Sequence, residues 1–336
     1  MTQRTTPRPA GVRISGTGMA VPPRVLTNQD LTLLVDTTDE WITQRTGIKT
    51  RHIADEDTRT SDLAADAVAQ ACTNAGIEPA ELDLVLCATM TPDVICPATA
   101  AEVVRKVGAI PCGAIDMNIA CTGLVAALGT ASALVETGMY RHVAAVGADT
   151  LSTITDYEDR RTCVLFGDAA SCVIVSASDD PQQGCLFQTL GSDAERGEVL
   201  FVPRSERDVP DSARHVFTGK FDTLQMDGKA VYKFAVTKLA ECVDQALAAT
   251  GLTADDVKMV VPHQSNIRML ESAWKRLGFD TDKIHINIDR FGNTSAASAG
   301  ICFHELMSQG HLARGDHVVF VAQGGGLSWG TSLWRL

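Results

Sequence analysis

Two halves of the chain echo each other at one constant offset of 175 residues. Gly76-Ile77 and Leu82-Asp83-Leu84-Val85-Leu86 fall on Gly251-Leu252 and Val257-Lys258-Met259-Val260-Val261. Asn118 falls on Asn293, Gly123 falls near Gly300, and His142-Val143 with Val146 falls on His317-Val318 with Val321. A repeat in one register requires two like units that cover each other's apolar faces. Leu82–Ala88 and Val257–Val261 are nearly all apolar, as strands buried on both faces are. Further strands are predicted at Val12–Ala20, His142–Gly147, Cys172–Val175 and His317–Ala322. Helical patterns cover Thr27–Val35, Ser61–Ala75, Ala98–Val107, Gly228–Ala249, Ile267–Leu277 and Ser295–Gln309. The expectation is an α/β chain of two βαβ-rich halves, residues 1–176 and 177–336, packed as a pseudo-dimer. Residues 176–227 are more polar and read as an irregular connection, with short runs such as Gly184–Thr189.

Composition narrows the function classes. Hydrophobic residues make up 45% of the 336, enough for a large core. A formal charge of -12 argues against a general nucleic-acid binder. The ten cysteines form no CxxC pair and read as reduced thiols, so a cytoplasmic protein is expected. No metal is expected: His304-Glu305 and His311 lack ligand spacing. Gly16-Thr17-Gly18 is followed by Val21-Pro22-Pro23, which rules out a dinucleotide fingerprint. Met1–Gly11 is polar and carries no apolar core of a signal peptide. The uncharged run Met117–Val135 is rich in Ala, Gly, Ser and Thr and closely bounded by Asp116 and Glu136. It reads as a helix buried in a core, not a membrane span.

That run holds the chemistry. Cys121 falls where a helix should begin, and first-turn N–H groups with the helix dipole favour a thiolate there. Most single cysteines are inert core residues, so other groups have to support the reading. His263 follows the strand Val257–Val261, Asn293 precedes a helix, and Gly324-Gly325-Gly326 follows the strand His317–Ala322. Ligands of parallel α/β sheets bind at such strand ends. A thiol, an imidazole, an amide and bare backbone N–H groups suit acyl transfer from a thioester. Trp41 and Arg45, four apart on one helix, could hold a nucleotide-like ligand.

These residues carry a resemblance that covers nearly the whole chain. Thr38-Asp39-Glu40-Trp41-Ile42, Arg45-Thr46-Gly47-Ile48, Asn118-Ile119-Ala120-Cys121, Phe166-Gly167-Asp168, Pro262-His263-Gln264-Ser265-Asn266, Gly292-Asn293-Thr294-Ser295 and Gly324–Gly330 resemble the ketoacyl synthase III family of the thiolase superfamily. The resemblance implies a thiolase-like, pseudo-duplicated αβαβα layered fold. It implies a Cys-His-Asn triad of Cys121, His263 and Asn293, with an oxyanion hole from Cys121 and Gly325 N–H. Trp41, Arg45 and Arg160 would hold the nucleotide end of coenzyme A, and Thr37, Gly228, Tyr232 and Asn266 would line the pantetheine tunnel. The implied reaction joins an acyl-CoA starter to malonyl-acyl-carrier protein with loss of carbon dioxide. No cofactor is implied beyond the coenzyme A thioester substrate, and a homodimer is expected, with no nucleic acid or membrane as partner. Lys229, Lys233, Arg268, Lys275 and Arg276 would suit an acidic carrier protein. Two departures stand out. The small Cys96 takes the position that caps the acyl pocket across the dimer, and Ala169-Ala170-Ser171 stands where the family more often has glycines. The first leaves acyl length open; the second predicts only a packing change. A polyketide or other secondary-metabolite starter-unit synthase, or an acyltransferase of the same fold, is the alternative. A cysteine hydrolase would release free acid, and a non-catalytic relative would need a broken triad.

Overall fold

The computed structural model describes residues 8–336, so residues 1–7 of the polar N-terminus lie outside the described residues. In chain order the first half comprises β1 (Gly11–Ala20), β2 (Val25–Thr27), α1 (Asn28–Leu31), α2 (Asp39–Thr46), β3 (Thr50–His52), α3 (Thr60–Ala75), β4 (Leu84–Ala88), α4 (Thr99–Val107), β5 (Gly113–Met117), α5 (Gly123–Glu136), β6 (His142–Asp149) and β7 (Ala169–Ser178). The second comprises β8 (Gly184–Ser192), β9 (Leu200–Phe201), β10 (Gln225–Met226), α6 (Gly228–Thr250), β11 (Val257–Pro262), α7 (Ile267–Leu277), α8 (Ile288–Phe291), α9 (Ser298–Ser308), β12 (His317–Gly324) and β13 (Ser328–Arg335). Residue 176, where the sequence reading divides the chain, lies inside β7.

Two sheets carry the architecture. The first runs β1-β7-β6-β4-β5 and the second β11-β12-β13-β8. In the first, β4 is parallel to β5 and β6, and β7 is antiparallel to β6 and β1. The second repeats this order, with β11 parallel to β12 and β13 antiparallel to β12 and β8. Its fifth position is reduced to one parallel bridge between Ile284 and Val260. Helices α3 and α4 cover the outer face of the first sheet. Helices α6 and α7 cover the outer face of the second. Between the sheets lie α5 and α9, in one core with Val143 and Val173 on one side and Val318 and Phe320 on the other. The layers are therefore αβαβα.

The repeat reaches into the fine structure. Short 3-10 turns at Ala120–Thr122 and Ser295–Ala297 precede α5 and α9, and they stand 175 residues apart. So do the starts of α5 and α9 and of β6 and β12. Ala120 and Ser295 have φ of 47° and 48°, a left-handed conformation that costs a side-chain-bearing residue energy. The same strained turn is thus built twice.

Helix α5 shows why its sequence is small and uncharged. Leu124, Val125, Leu128 and Val135 are at most 1% exposed. Each such side chain contributes about 1.5–3 kcal/mol of burial, and a charge there would have no partner. Among the described residues no helix is long and apolar enough to cross a membrane.

Several expectations need correction. The helix expected to reach Val35 stops at Leu31, capped by Thr27, whose hydroxyl accepts from Asp30 N. Helix α9 begins at Ser298 after the 3-10 turn, not at Ser295. Gly184–Ser192 is no irregular run but an edge strand on β13. Most of its side chains are only partly buried and Leu186 and Leu190 are exposed, so it does not read as a buried strand. Ser171, at the departure from the usual glycines, packs on Gly300, where a Cβ would enter its hydroxyl. The packing change is absorbed by a glycine on the facing helix.

The halves approach backbone to backbone at Gly147 of β6, where a Cβ would enter the Ala296 carbonyl. Gly147→Ala should lower stability by about 1–3 kcal/mol through overpacking, read as a lower urea midpoint with the slope unchanged. An unchanged midpoint would show that the halves can part there at no cost.

Candidate active site

The strained turn before α5 puts Cys121 at the floor of a cavity of about 750 Å³, within the range of small-molecule sites. Cys121, His263 and Asn293 all line it, with Gly324, Gly325 and Gly326. Four separate segments supply these groups: the 3-10 turn, the end of β11, the loop after α8 and the end of β12. Gly324 is needed for this approach, since a Cβ there would lie 2.8 Å from Cys121 N. Gly325 N–H has no acceptor among the described residues.

Asn293 is held from both halves. Its N–H donates to Leu165 O at 2.9 Å, and its carbonyl accepts from Gly167 N at 3.0 Å. Its Oδ1 accepts from Ser295 N at 2.9 Å, which leaves the amide NH₂ for the cavity. The Phe166-Gly167-Asp168 motif is the other side of this contact. Asp168 is buried and accepts from Ala54 N and from Ser152 N and Oγ, so it fixes the loop that grips Asn293.

Burial dominates the electrostatics. It pushes the Cys121 thiol up to about 12, against a smaller downward pull from a hydrogen bond with Ser295. It pushes His263 down to about 3. The expected thiolate at a helix start is therefore not the resting state. Cys121 lies in the 3-10 turn ahead of α5, and desolvation outweighs what the helix end contributes. Asp149, also buried, is raised to about 6 by desolvation. It accepts from Met90 N at 2.8 Å and Ala296 N at 3.3 Å, which ties the two halves behind Cys121.

The mouth has the opposite character. Arg45, Arg160, Arg161, Arg204 and Arg268 line it, and no carboxylate does. On a chain of charge -12 this is a local positive rim. The guanidinium carbons of Arg45 and Arg160 lie 5.3 and 5.1 Å from the centre of the Trp41 ring. Arg160 donates to Asp36 O at 2.5 Å. Asn266 caps α7 by accepting from Arg268 N and donates to Arg45 O, so it joins α7 to α2. Gly228, Tyr232 and Asn266 line the cavity. The Tyr232 hydroxyl hydrogen-bonds Ser272 Oγ at 2.8 Å.

Other sequence-derived positions fall elsewhere. Thr37 is outside the lining; the Asp36 carbonyl, not the Thr37 side chain, meets the rim. Cys96 sits exposed beside Ile95, outside the cavity of its own chain. Lys229, Lys233, Lys275 and Arg276 are exposed on α6 and α7 and do not line the cavity. Arg268, grouped with them in the sequence reading, does. The wall that sequence reasoning missed comes from the supposed connection: Leu200, Phe201, Val202, Leu224 and Met226. These apolar residues are spaced by polar loops, so no period marked them. Arg161 and Arg204 were missed because no motif frames them.

Comparison with known proteins agrees with this geometry. Residues 115–194 match the family described as 3-oxoacyl-(acyl-carrier-protein) synthase III, and residues 247–336 match its C-terminal part. The chain is 43% identical over 320 residues to a beta-ketoacyl-(acyl-carrier-protein) synthase III of Caldanaerobacter subterraneus subsp. tengcongensis, covering 95% of this chain and 96% of that one. It superposes on the crystal structure of a 3-oxoacyl-(acyl-carrier-protein) synthase III from Aquifex aeolicus with a TM-score of 0.90 at 38% identity, covering 97% and 100% of the two chains. It also superposes on a priming beta-ketosynthase of a polyketide pathway, with a TM-score of 0.90 at 32% identity over 98% of each chain. With 43% identity over nearly its full length and both sheets superposed, the chain belongs to the 3-oxoacyl-(acyl-carrier-protein) synthase III family.

Proposed function

We propose that this acyltransferase catalyses the initiating condensation of fatty acid biosynthesis through an acyl-Cys121 intermediate. One observation carries the reading: a thiol, an imidazole, an amide and a free backbone N–H converge at the floor of one cavity whose mouth is ringed by guanidinium groups. The Cys121 sulfur attacks the carbonyl carbon of an acyl-CoA, and the C–S bond to coenzyme A breaks. Coenzyme A leaves as a thiol with the proton that Cys121 loses. Cys121 and Gly325 N–H hold the oxyanion of that step. Malonyl-acyl-carrier protein then binds and loses carbon dioxide, with the His263 and Asn293 side chains stabilising the enolate. Its carbon attacks the acyl carbonyl, a C–C bond forms as the C–S bond to Cys121 breaks, and the Cys121 sulfur takes a proton from solvent as the 3-oxoacyl-carrier product leaves.

The chemistry needs no metal or redox cofactor. The arginine rim and Trp41 suit the phosphates and base of coenzyme A, because guanidinium groups pair with phosphate and stack on rings. Lys229 and Lys233 lie on α6 beside mouth residues Gly228 and Tyr232, and Lys275 and Arg276 lie on α7 beyond Arg268. That position supports their meeting an acidic carrier protein. A homodimer in the cytoplasm completes the reading, supported by the free cysteines and by the exposed apolar loop Val94–Ile95 beside Cys96. The likeness to a priming ketosynthase favours starter-unit synthesis for a secondary metabolite as the second reading. Turnover of acyl-CoA starters of graded length and branching separates the two.

Incubated with acyl-CoA, Cys121→Ala should gain no acyl mass in intact-protein mass spectra. Asn293→Ala should gain it but release carbon dioxide from malonyl-carrier protein about a hundredfold more slowly. An acyl adduct on Cys121→Ala would overturn the assignment of the nucleophile.

The resting proton state gives an independent check. With the thiol pushed up to about 12, the thiolate fraction rises about tenfold per pH unit through neutrality. Alkylation of Cys121 by iodoacetamide, followed by peptide mass spectrometry, should therefore climb from pH 7 to 9 without a plateau. A plateau below pH 8 would mean a thiolate at rest.

A further inference from the structure

Strand β12 ends in a side chain that the folded chain leaves without a partner. Gln323 is 4% exposed, and neither its Oε1 nor its Nε2 meets a hydrogen-bonding group. A buried primary amide unpaired on both sides has lost its hydration without replacement. Among the described residues, Gln323 is the one side chain with such orphaned atoms that also lines the cavity. Its place on the strand says which wall it belongs to, because side chains alternate along β12. Val318, Phe320 and Ala322 face the central layer, whereas Val319 and Val321 pack with α6 and α7. Gln323 continues the second row, opposite Trp329, which packs on Phe234 of α6. On that wall the cavity is lined by Val231, Phe234 and Ala235 of α6 and Met269 of α7, none with a polar side-chain group to offer an amide. The next residue, Gly324, is the one whose Cβ would lie 3.0 Å from Cys121 Cβ. The orphaned amide therefore stands one residue from the contact with the nucleophile, on the side from which α6 and α7 lead out to the arginine rim.

We infer that Gln323 is a substrate-binding residue whose amide hydrogen-bonds the secondary amide nearest the sulfur on the pantetheine arm, the part that coenzyme A and the prosthetic group of a carrier protein share. This rests on the reading of the cavity as the site of acyl-CoA and malonyl-carrier substrates. With phosphates at the rim and the thioester at Cys121, the stretch between them is the arm. Its last amide follows the sulfur by two methylenes, which is where a residue beside the Cys121 contact would meet it. That amide brings an N–H and a C=O to a wall that otherwise offers neither, and a hydrocarbon starter chain brings none. The unpaired state of Gln323 is then the state of the empty site, and the substrate supplies the missing partner.

Gln323→Leu in the full chain tests this. In calorimetric titrations coenzyme A should bind the variant about tenfold more weakly, and adenosine 3′,5′-bisphosphate, which carries the nucleotide end without the arm, should bind both proteins equally. Without ligand, the variant should unfold at a higher urea concentration, because it no longer buries an orphaned amide. A lower midpoint would show that the amide already has a structural partner and would overturn the inference. In acylation of Cys121, the preference for an acyl N-acetylcysteamine thioester over the S-pentyl thioester, in which methylenes replace the amide, should fall about tenfold in the variant. Carbon dioxide release from malonyl-carrier protein by acylated enzyme reports the second source of the arm and should slow by a similar factor. Loss in one half-reaction only would overturn the assignment to the shared arm, as would an unchanged coenzyme A affinity or an equal loss for the bisphosphate. Failure of Cys121 to take any acyl group in the unmodified protein would instead overturn the reading of the nucleophile, and the coenzyme A titration would still decide the role of Gln323.

Discussion

Helices α5 and α9 lie between two sheets, and most of what is distinctive in the molecule depends on that burial. Sandwiched on both faces, α5 carries small and aliphatic side chains, and glycines sit at close contacts around both helices. Gly123 meets Ala88 and Ala296, Gly147 meets Ala296, and Gly300 meets Ser171. At such approaches one added methyl has nowhere to go. The same packing brings the two N-terminal turns together, so Cys121 from one half lies near Ser295, Ala296 and Asn293 from the other. A duplicated fold thus produces an asymmetric site. The first copy of the turn carries the thiol, and Ala296 stands at the equivalent place in the second.

Burial also decides the chemistry's starting point. A desolvated thiol and a desolvated imidazole both rest neutral, because a charge removed from water has little to replace its hydration. Nucleophilicity must then arise during the reaction, when the thioester is in place and N–H donors face the developing oxyanion. The rim works by the reverse rule. Its guanidinium groups stay near water, where Arg160 can hold the Asp36 carbonyl and still flank Trp41. A cationic mouth over a neutral floor suits a ligand with phosphates at one end and a thioester at the other.

Hydrogen bonds behind the site carry as much information as the groups in front. Asn293 has its oxygen occupied by Ser295 N–H, and His263 has Nδ1 occupied by Ser298. Each side chain is left with one kind of group for the cavity. Both partners come from the Ser295–Ser298 segment that opens α9, so one turn of backbone orients two functional groups.

The 175-residue register, the parallel strands, the central helix and the grouping of Cys121, His263 and Asn293 were legible in the sequence. All follow from local periodicity and from residues placed at strand ends, and both survive in a one-dimensional string. The wall built by residues 200–226 was not legible, since its apolar residues meet only when the loops fold over the cavity. Thr37 and the exposed lysines were misjudged or left open, because a motif names a neighbourhood and not which atoms face inward. The proton states were beyond the sequence for a deeper reason. A helix start argues for a thiolate at Cys121, but desolvation is a property of the whole enclosure, and only the tertiary structure shows that the enclosure wins.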